Sequence, residues 1–129
     1  MLVERRTEMM QPVAAAKATI LIVDDDPEVR EIVAEFLEDF GHYVLRAAGG
    51  VEALAVLARS PQVDLVITDV RMPDISGIEL ADLVTREHDG LKVILISGFF
   101  VSQRVNRRVL RKPFRMQELE AAVRAELAS

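Results

Sequence analysis

The 129-residue chain is 50% apolar, enough to fill a single core in one domain. No stretch approaches the roughly 20 consecutive apolar residues that span a bilayer, and no charged, apolar and small-residue succession marks a cleaved leader, so a soluble, cytoplasmic protein with no membrane partner is expected. Its lack of Cys excludes disulfides and thiolate metal sites, and its net charge of −5 disfavours nucleic acid as a partner, since displacing counterions needs clustered Lys and Arg.

Residues 1–18 mix Arg, Glu, Met and Gln around Pro12 without a period, so a flexible N-terminal tail is expected there; a start at Met9 or Met10 is the plain alternative. From 19 to 129 the pattern is regular. The apolar run Ile20-Leu21-Ile22-Val23 stops at Asp24-Asp25-Asp26. Pro27 then opens a helix whose apolar stripe is Val29, Ile32, Val33, Phe36, Leu37 and Phe40, and Gly41 ends it. Tyr43-Val44-Leu45 predicts a short second strand and Gly49-Gly50 a turn. A second helix follows with Val51, Leu54, Ala55 and Leu57 inward, closed by Pro61. The run Leu65-Val66-Ile67-Thr68 stops at Asp69. A turn over Met72-Pro73-Asp74-Ile75-Ser76-Gly77 leads into a third helix lined by Ile78, Leu80, Ala81 and Val84 and reaching about His88. After Gly90, Val93-Ile94-Leu95-Ile96 stops at Ser97. Val109-Leu110 predicts a brief fifth strand, Lys112-Pro113-Phe114 a turn, and Leu119, Ala122, Val123 and Leu127 the inner face of a last helix.

Runs of Val, Ile and Leu without polar alternation fit strands buried on both faces, hence a parallel sheet. Strands alternating with helices imply right-handed crossovers and a doubly wound α/β sandwich, in which ligands sit outside the carboxyl ends of the strands. Each long apolar run ends at an oxygen-bearing side chain, so one sheet edge gathers carboxylates and a hydroxyl.

In order, Ile20-Leu21-Ile22-Val23-Asp24-Asp25-Asp26-Pro27, Thr68-Asp69-Val70-Arg71-Met72-Pro73, Ser97 and Lys112-Pro113-Phe114 resemble the receiver domain of bacterial response regulators, over about 19–128. The resemblance implies a five-stranded flavodoxin-like sheet of order 2-1-3-4-5. It implies Asp69 as phosphoacceptor, Ser97 and Lys112 as readers of the phosphoryl group, and Mg2+ held by Asp24, Asp25, Asp69 and the backbone carbonyl of Arg71. A histidine kinase or phosphotransfer protein would be the donor, and a downstream protein the target. The expected protein is a stand-alone receiver without an output domain, not an enzyme beyond intrinsic self-phosphorylation and self-dephosphorylation. Asp69 with its neighbours and Lys112-Pro113-Phe114-Arg115 also resemble receivers of hybrid histidine kinases, so a fragment or free-standing relative of one is a further expectation.

The chemistry needs these residue types. A carboxylate that attacks a phosphoryl group must overcome repulsion between anions, which a divalent cation and an ammonium relieve. Two carboxylates roughly 4 Å apart repel by on the order of 4 kcal/mol at an effective dielectric near 20, so the cluster is costly without metal. Blander roles compete residue by residue. Asp26 before Pro27 is expected to be a helix N-cap rather than a ligand. Asp69 alone suits a turn, Lys112 a solvated strand end, and Ser97 an ordinary turn hydroxyl; their joint placement at strand ends favours a site. His42 and His88 lack metal-ligand spacing and are expected at the surface. Arg104, Arg107, Arg108 and Arg111 are expected to form a solvated face.

One region departs from the family. Only 12 residues separate Ile96 from Val109, against a floor of roughly 10–12 for a parallel crossover including its helix, so helix four should be shortened or missing. The aromatic usual three residues before the Lys is Val109 here, and Phe99 and Phe100 are expected to cover the shortened segment as core. Alternatives from other classes are a receiver-like scaffold acting by protein contacts without phosphorylation, a flavodoxin-like cofactor binder, and a small phosphatase of the haloacid dehalogenase type. Three carboxylates after strand one would repel FMN, and the chain leaves little room for a phosphatase cap.

Overall fold

The computed structural model describes residues 17–102 and 105–129. Five strands, β1 (Thr19–Val23), β2 (Tyr43–Ala47), β3 (Leu65–Asp69), β4 (Lys92–Ser97) and β5 (Arg108–Arg111), alternate with helices α1 (Pro27–Asp39), α2 (Gly50–Arg59), α3 (Gly77–Glu87) and α4 (Met116–Ala128), α4 following β5. The strands form one parallel sheet of order β2-β1-β3-β4-β5. The chain reverses direction across the sheet between β1 and β3, which opens the crevice at the strands' carboxyl ends.

Successive strand residues point to opposite faces, and both faces are covered. Leu21, Val23, Val66, Val93 and Leu95 join residues of α2 and α3 in one cluster. Ile20, Ile22, Leu65, Ile67, Ile94 and Ile96 join residues of α1 and α4 in the other. This double burial is why the central strands read as unbroken apolar runs.

The helix faces differ in detail from expectation. On α1 the residues buried are Val33, Ala34 and Leu37, whereas Ile32 and Phe40 are exposed; the Phe36 and Phe40 rings instead touch each other at 4.8 Å. On α2 Ala53, Val56 and Leu57 point inward, and Val51 and Ala55 face solvent. Each helix carries more apolar residues than the sheet can cover, so its rotation, set by packing, selects among them. Gly41, at φ +95°, takes the left-handed conformation that ends α1.

Residues 1–16 and Arg104 of the predicted tail and basic face lie outside the described residues. Ala18, expected in the tail, is buried; its carbonyl accepts from Tyr43 N at 2.9 Å and its N–H donates to His42 Nδ1 at 3.1 Å. His42 is thus a half-buried acceptor rather than a plain surface residue, and burial lowers its pKa from 6.5. Of the basic residues, Arg107 pairs with Asp82 at 3.1 Å and Arg108 with Glu126 at 2.8 Å.

Between β4 and β5 the described residues contain no α-helix, as the short crossover requires. Phe99 and Phe100 do not serve as its core: they are 38% and 74% exposed. Val101, Val105 and Val109 pack against the apolar cluster in their place. No described helix is long and apolar enough to cross a membrane.

Candidate functional site

Three carboxylates meet where β1 and β3 end. Asp24, directly after β1, is 1% exposed, and Asp69, the last residue of β3, is 8% exposed. Asp25 lies at the surface. One oxygen from each lies within 4.8 Å of the other two. The backbone fixes this edge: Asp24 N donates to Ala47 O at 3.1 Å, Val70 N to Ile96 O at 2.9 Å and Lys112 N to Ser97 O at 2.8 Å. Arg30 Nη1 donates to Asp24 O at 2.8 Å. The Lys112 ammonium reaches across from the end of β5 to Asp69 Oδ2 at 3.3 Å.

The electrostatics are those of an incompletely neutralised cluster. Asp24 Oδ1 accepts from Asp26 N at 2.9 Å, but Asp24 Oδ2 is buried without a hydrogen-bond partner. Burial, aided by the neighbouring Asp69 carboxylate, raises the pKa of Asp24 above 3.8. A buried acceptor with no donor is costly. An all-oxygen set with one such orphan fits Mg2+, a hard cation that takes a few carboxylates and keeps waters, better than softer metals. These residues therefore fit the ion that the sequence motifs imply.

Asp26 caps α1, accepting from Glu28 N at 2.9 Å and Val29 N at 3.3 Å, the role expected of it. Ser97 is fully buried at the end of β4, and its hydroxyl is held locally, donating to Phe99 O at 2.7 Å and accepting from Phe99 N at 3.1 Å. The Arg71 guanidinium lies over the Phe99 ring, 4.7 Å from its centre. Gly77 lets α3 approach the end of β3, since a Cβ there would meet the Asp69 carbonyl oxygen at 2.2 Å. Ser76 caps α3 in a capping box with Glu79.

Sequence reasoning missed two contributors. Arg30 lies one helical turn into α1 and looks like any surface Arg. Asp74 looks like a turn residue, yet its carboxylate accepts from Gly50 N and Val51 N at the start of α2. The available signal was the Gly49-Gly50 pair, a helix start with no capping side chain of its own.

A family model described as response regulator receiver domain matches residues 20–124. Over 119 residues the chain is 34% identical to the DNA-binding transcriptional regulator NtrC of Azospirillum brasilense, an alignment that covers 87% of this chain but 24% of that protein. Over 107 residues it is 33% identical to the response regulator receiver protein CpdR of Brucella abortus, covering 78% of this chain and 88% of that one. Among solved structures, the response regulator TrrA of Thermotoga maritima in complex with Mg(2+)-BeF superposes with a TM-score of 0.75 at 33% identity, covering 84% of this chain and 97% of that one.

Proposed function

Because this chain belongs to the response regulator receiver domain family, we propose that it accepts a phosphoryl group on Asp69 from a histidine kinase or phosphotransfer protein, in two-component signalling or a phosphorelay. The observation that carries this is the convergence of Asp24, Asp25 and Asp69 within 4.8 Å, with Lys112 Nζ 3.3 Å from Asp69 Oδ2 and Asp24 Oδ2 buried without a partner. Asp24, Asp25 and Asp69, with the backbone carbonyl of Arg71, would hold Mg2+. When bound, the ion supplies positive charge beside the acceptor carboxylate.

The chain's own groups do the rest. An Asp69 oxygen attacks phosphorus, forming an acyl phosphate as the donor's P–N bond breaks. Lys112 already pairs with that carboxylate and neutralises charge on the incoming oxygens. Ser97 Oγ–H, donated to Phe99 O in this structure, would turn to a phosphoryl oxygen. The domain acts as a phosphoacceptor, and its output runs through contacts with a downstream protein.

The experiment is mass spectrometry of the chain incubated with acetyl phosphate and Mg2+. One phosphoryl increment is expected, absent in Asp69→Ala. Equal labelling of Asp69→Ala refutes the acceptor assignment. No increment on the wild type, from acetyl phosphate or from a phosphorylated kinase, favours a scaffold that works by contacts alone.

A further inference from the structure

Helix α2 starts without a cap of its own. Gly49 and Gly50 offer no side-chain oxygen to its free amides. Asp74, in the loop after β3, supplies both: Oδ1 accepts from Gly50 N at 3.2 Å and Oδ2 from Val51 N at 2.8 Å. Oδ1 also accepts from Ile75 N at 2.8 Å, and these backbone donors hold the Asp74 carboxyl below its ordinary 3.8. The two segments fit closely. A Cβ on Gly50 would lie 2.2 Å from Ile75 Cγ1, and one on Gly49 would lie 3.1 Å from Asp74 Oδ2.

This junction touches the acidic edge from two sides. On one, Ala47, just before the Gly pair, accepts from Asp24 N at 3.1 Å. On the other, the loop from Val70 to Gly77 is pinned at its base, where Gly77 N donates to Val70 O at 2.8 Å. Its far end is tied down by Asp74, and Arg71 lies between the two anchors. We propose, resting on the receiver function proposed above, that Asp74 is a positioning residue: by capping α2 from the loop that follows the phosphoacceptor, it fixes that loop against the Asp24 segment and so sets the geometry of the cation site.

The test is a Mg2+ titration of the full chain, followed by the amide shifts of Asp24, Asp69 and Arg71, with thermal unfolding in parallel. The variants are Asp74→Ala, Asp74→Asn and, as control, Asp64→Ala. Asp64 makes the same kind of carboxylate-to-backbone bond, to Thr19 N at 2.9 Å, at the opposite end of the sheet. Asp74→Ala should weaken Mg2+ binding about tenfold, the loss typical when a group that orients metal ligands is removed. Asp74→Asn, whose amide oxygen still accepts, should recover part of it, and Asp64→Ala should bind Mg2+ like the wild type while melting lower. Unchanged affinity in Asp74→Ala, or an equal loss in Asp64→Ala, overturns the role. If Asp74→Ala does not fold, Asp74→Asn carries the test: a smaller loss supports the role and none overturns it. A wild type that takes up no Mg2+ sinks the proposed function itself, whereas normal wild-type binding with indifferent Asp74 variants sinks only the positioning role.

Discussion

Replacing Asp24 by Asn should make the metal-free domain more stable, although most substitutions at buried positions do the reverse. The Asp24 side chain is almost fully buried, lies within 4.8 Å of two other carboxylates and leaves Oδ2 without a donor. At the full 4.8 Å, one carboxylate pair repels by about 3.5 kcal/mol at an effective dielectric near 20. The Lys112 ammonium offsets part of this. Asn keeps an oxygen for the 2.9 Å bond from Asp26 N while removing the charge. A net gain of about 1–2 kcal/mol follows, seen as a rise in Tm of roughly 5 °C for a domain of this size. The assay is calorimetric or urea unfolding in EDTA and in excess Mg2+. A hundredfold excess over Kd should stabilise the wild type by about 2.7 kcal/mol, and the variant far less. If Asp24→Asn unfolds more easily in EDTA, or gains as much from Mg2+ as the wild type, the cluster is not the source of the strain and the reasoning fails.

Other expectations follow from single residues. His42 is lowered from 6.5 by burial, so the unfolded chain takes up its proton first; stability is full above pH 6.5 and falls as pH drops below it, and denaturation at pH 7.5 and 5.5 should show a smaller fall in His42→Asn. Gly77→Ala should cost about 3 kcal/mol, because its Cβ would meet the backbone oxygen of Asp69 at 2.2 Å and a main chain cannot turn aside; urea unfolding with a loss under 1 kcal/mol contradicts this. Leu119, fully buried between α4 and the sheet, should cost about 2–5 kcal/mol as Ala by the same assay. With Val109 in place of an aromatic and no α-helix among the described residues of the crossover, beryllofluoride with Mg2+ should shift the amides of β5 little, and large shifts there would contradict that expectation.

The sheet was legible because double burial leaves a mark. Runs such as Ile20 to Val23 carry no polar alternation, and their ends name the edge where Asp24, Asp69 and Ser97 stand. The Asp26 cap was legible for the same local reason: a carboxylate followed by Pro27 satisfies nearby amides, and no distant partner competes. Helix rotation was not legible. Val51 and Ala55 are apolar at plausible spacing, yet the packing of α2 turns Ala53, Val56 and Leu57 inward. Phe99 and Phe100 misled because large aromatic side chains usually bury. Here the Ser97 hydroxyl bonds both the N–H and the carbonyl of Phe99, and smaller Val residues fill the space. The Asp74 cap was hidden because its partners lie across the fold in another element.

The charge count at the edge explains why a divalent ion is the natural complement. Among the described residues, three carboxylates face one ammonium, from Lys112. The fold relieves each in a different way. Asp69 has Lys112, Asp25 is exposed at the surface, and Asp24 has one backbone amide and a pKa pushed up by burial. A proton on Asp24 and a cation beside it are therefore competing answers to the same excess of negative charge. Mg2+ held there as proposed would displace whatever proton Asp24 holds, so apparent affinity for the ion should weaken as pH falls toward the raised pKa. A monovalent ion leaves the excess half answered, and a softer metal finds no sulfur or imidazole in the cluster.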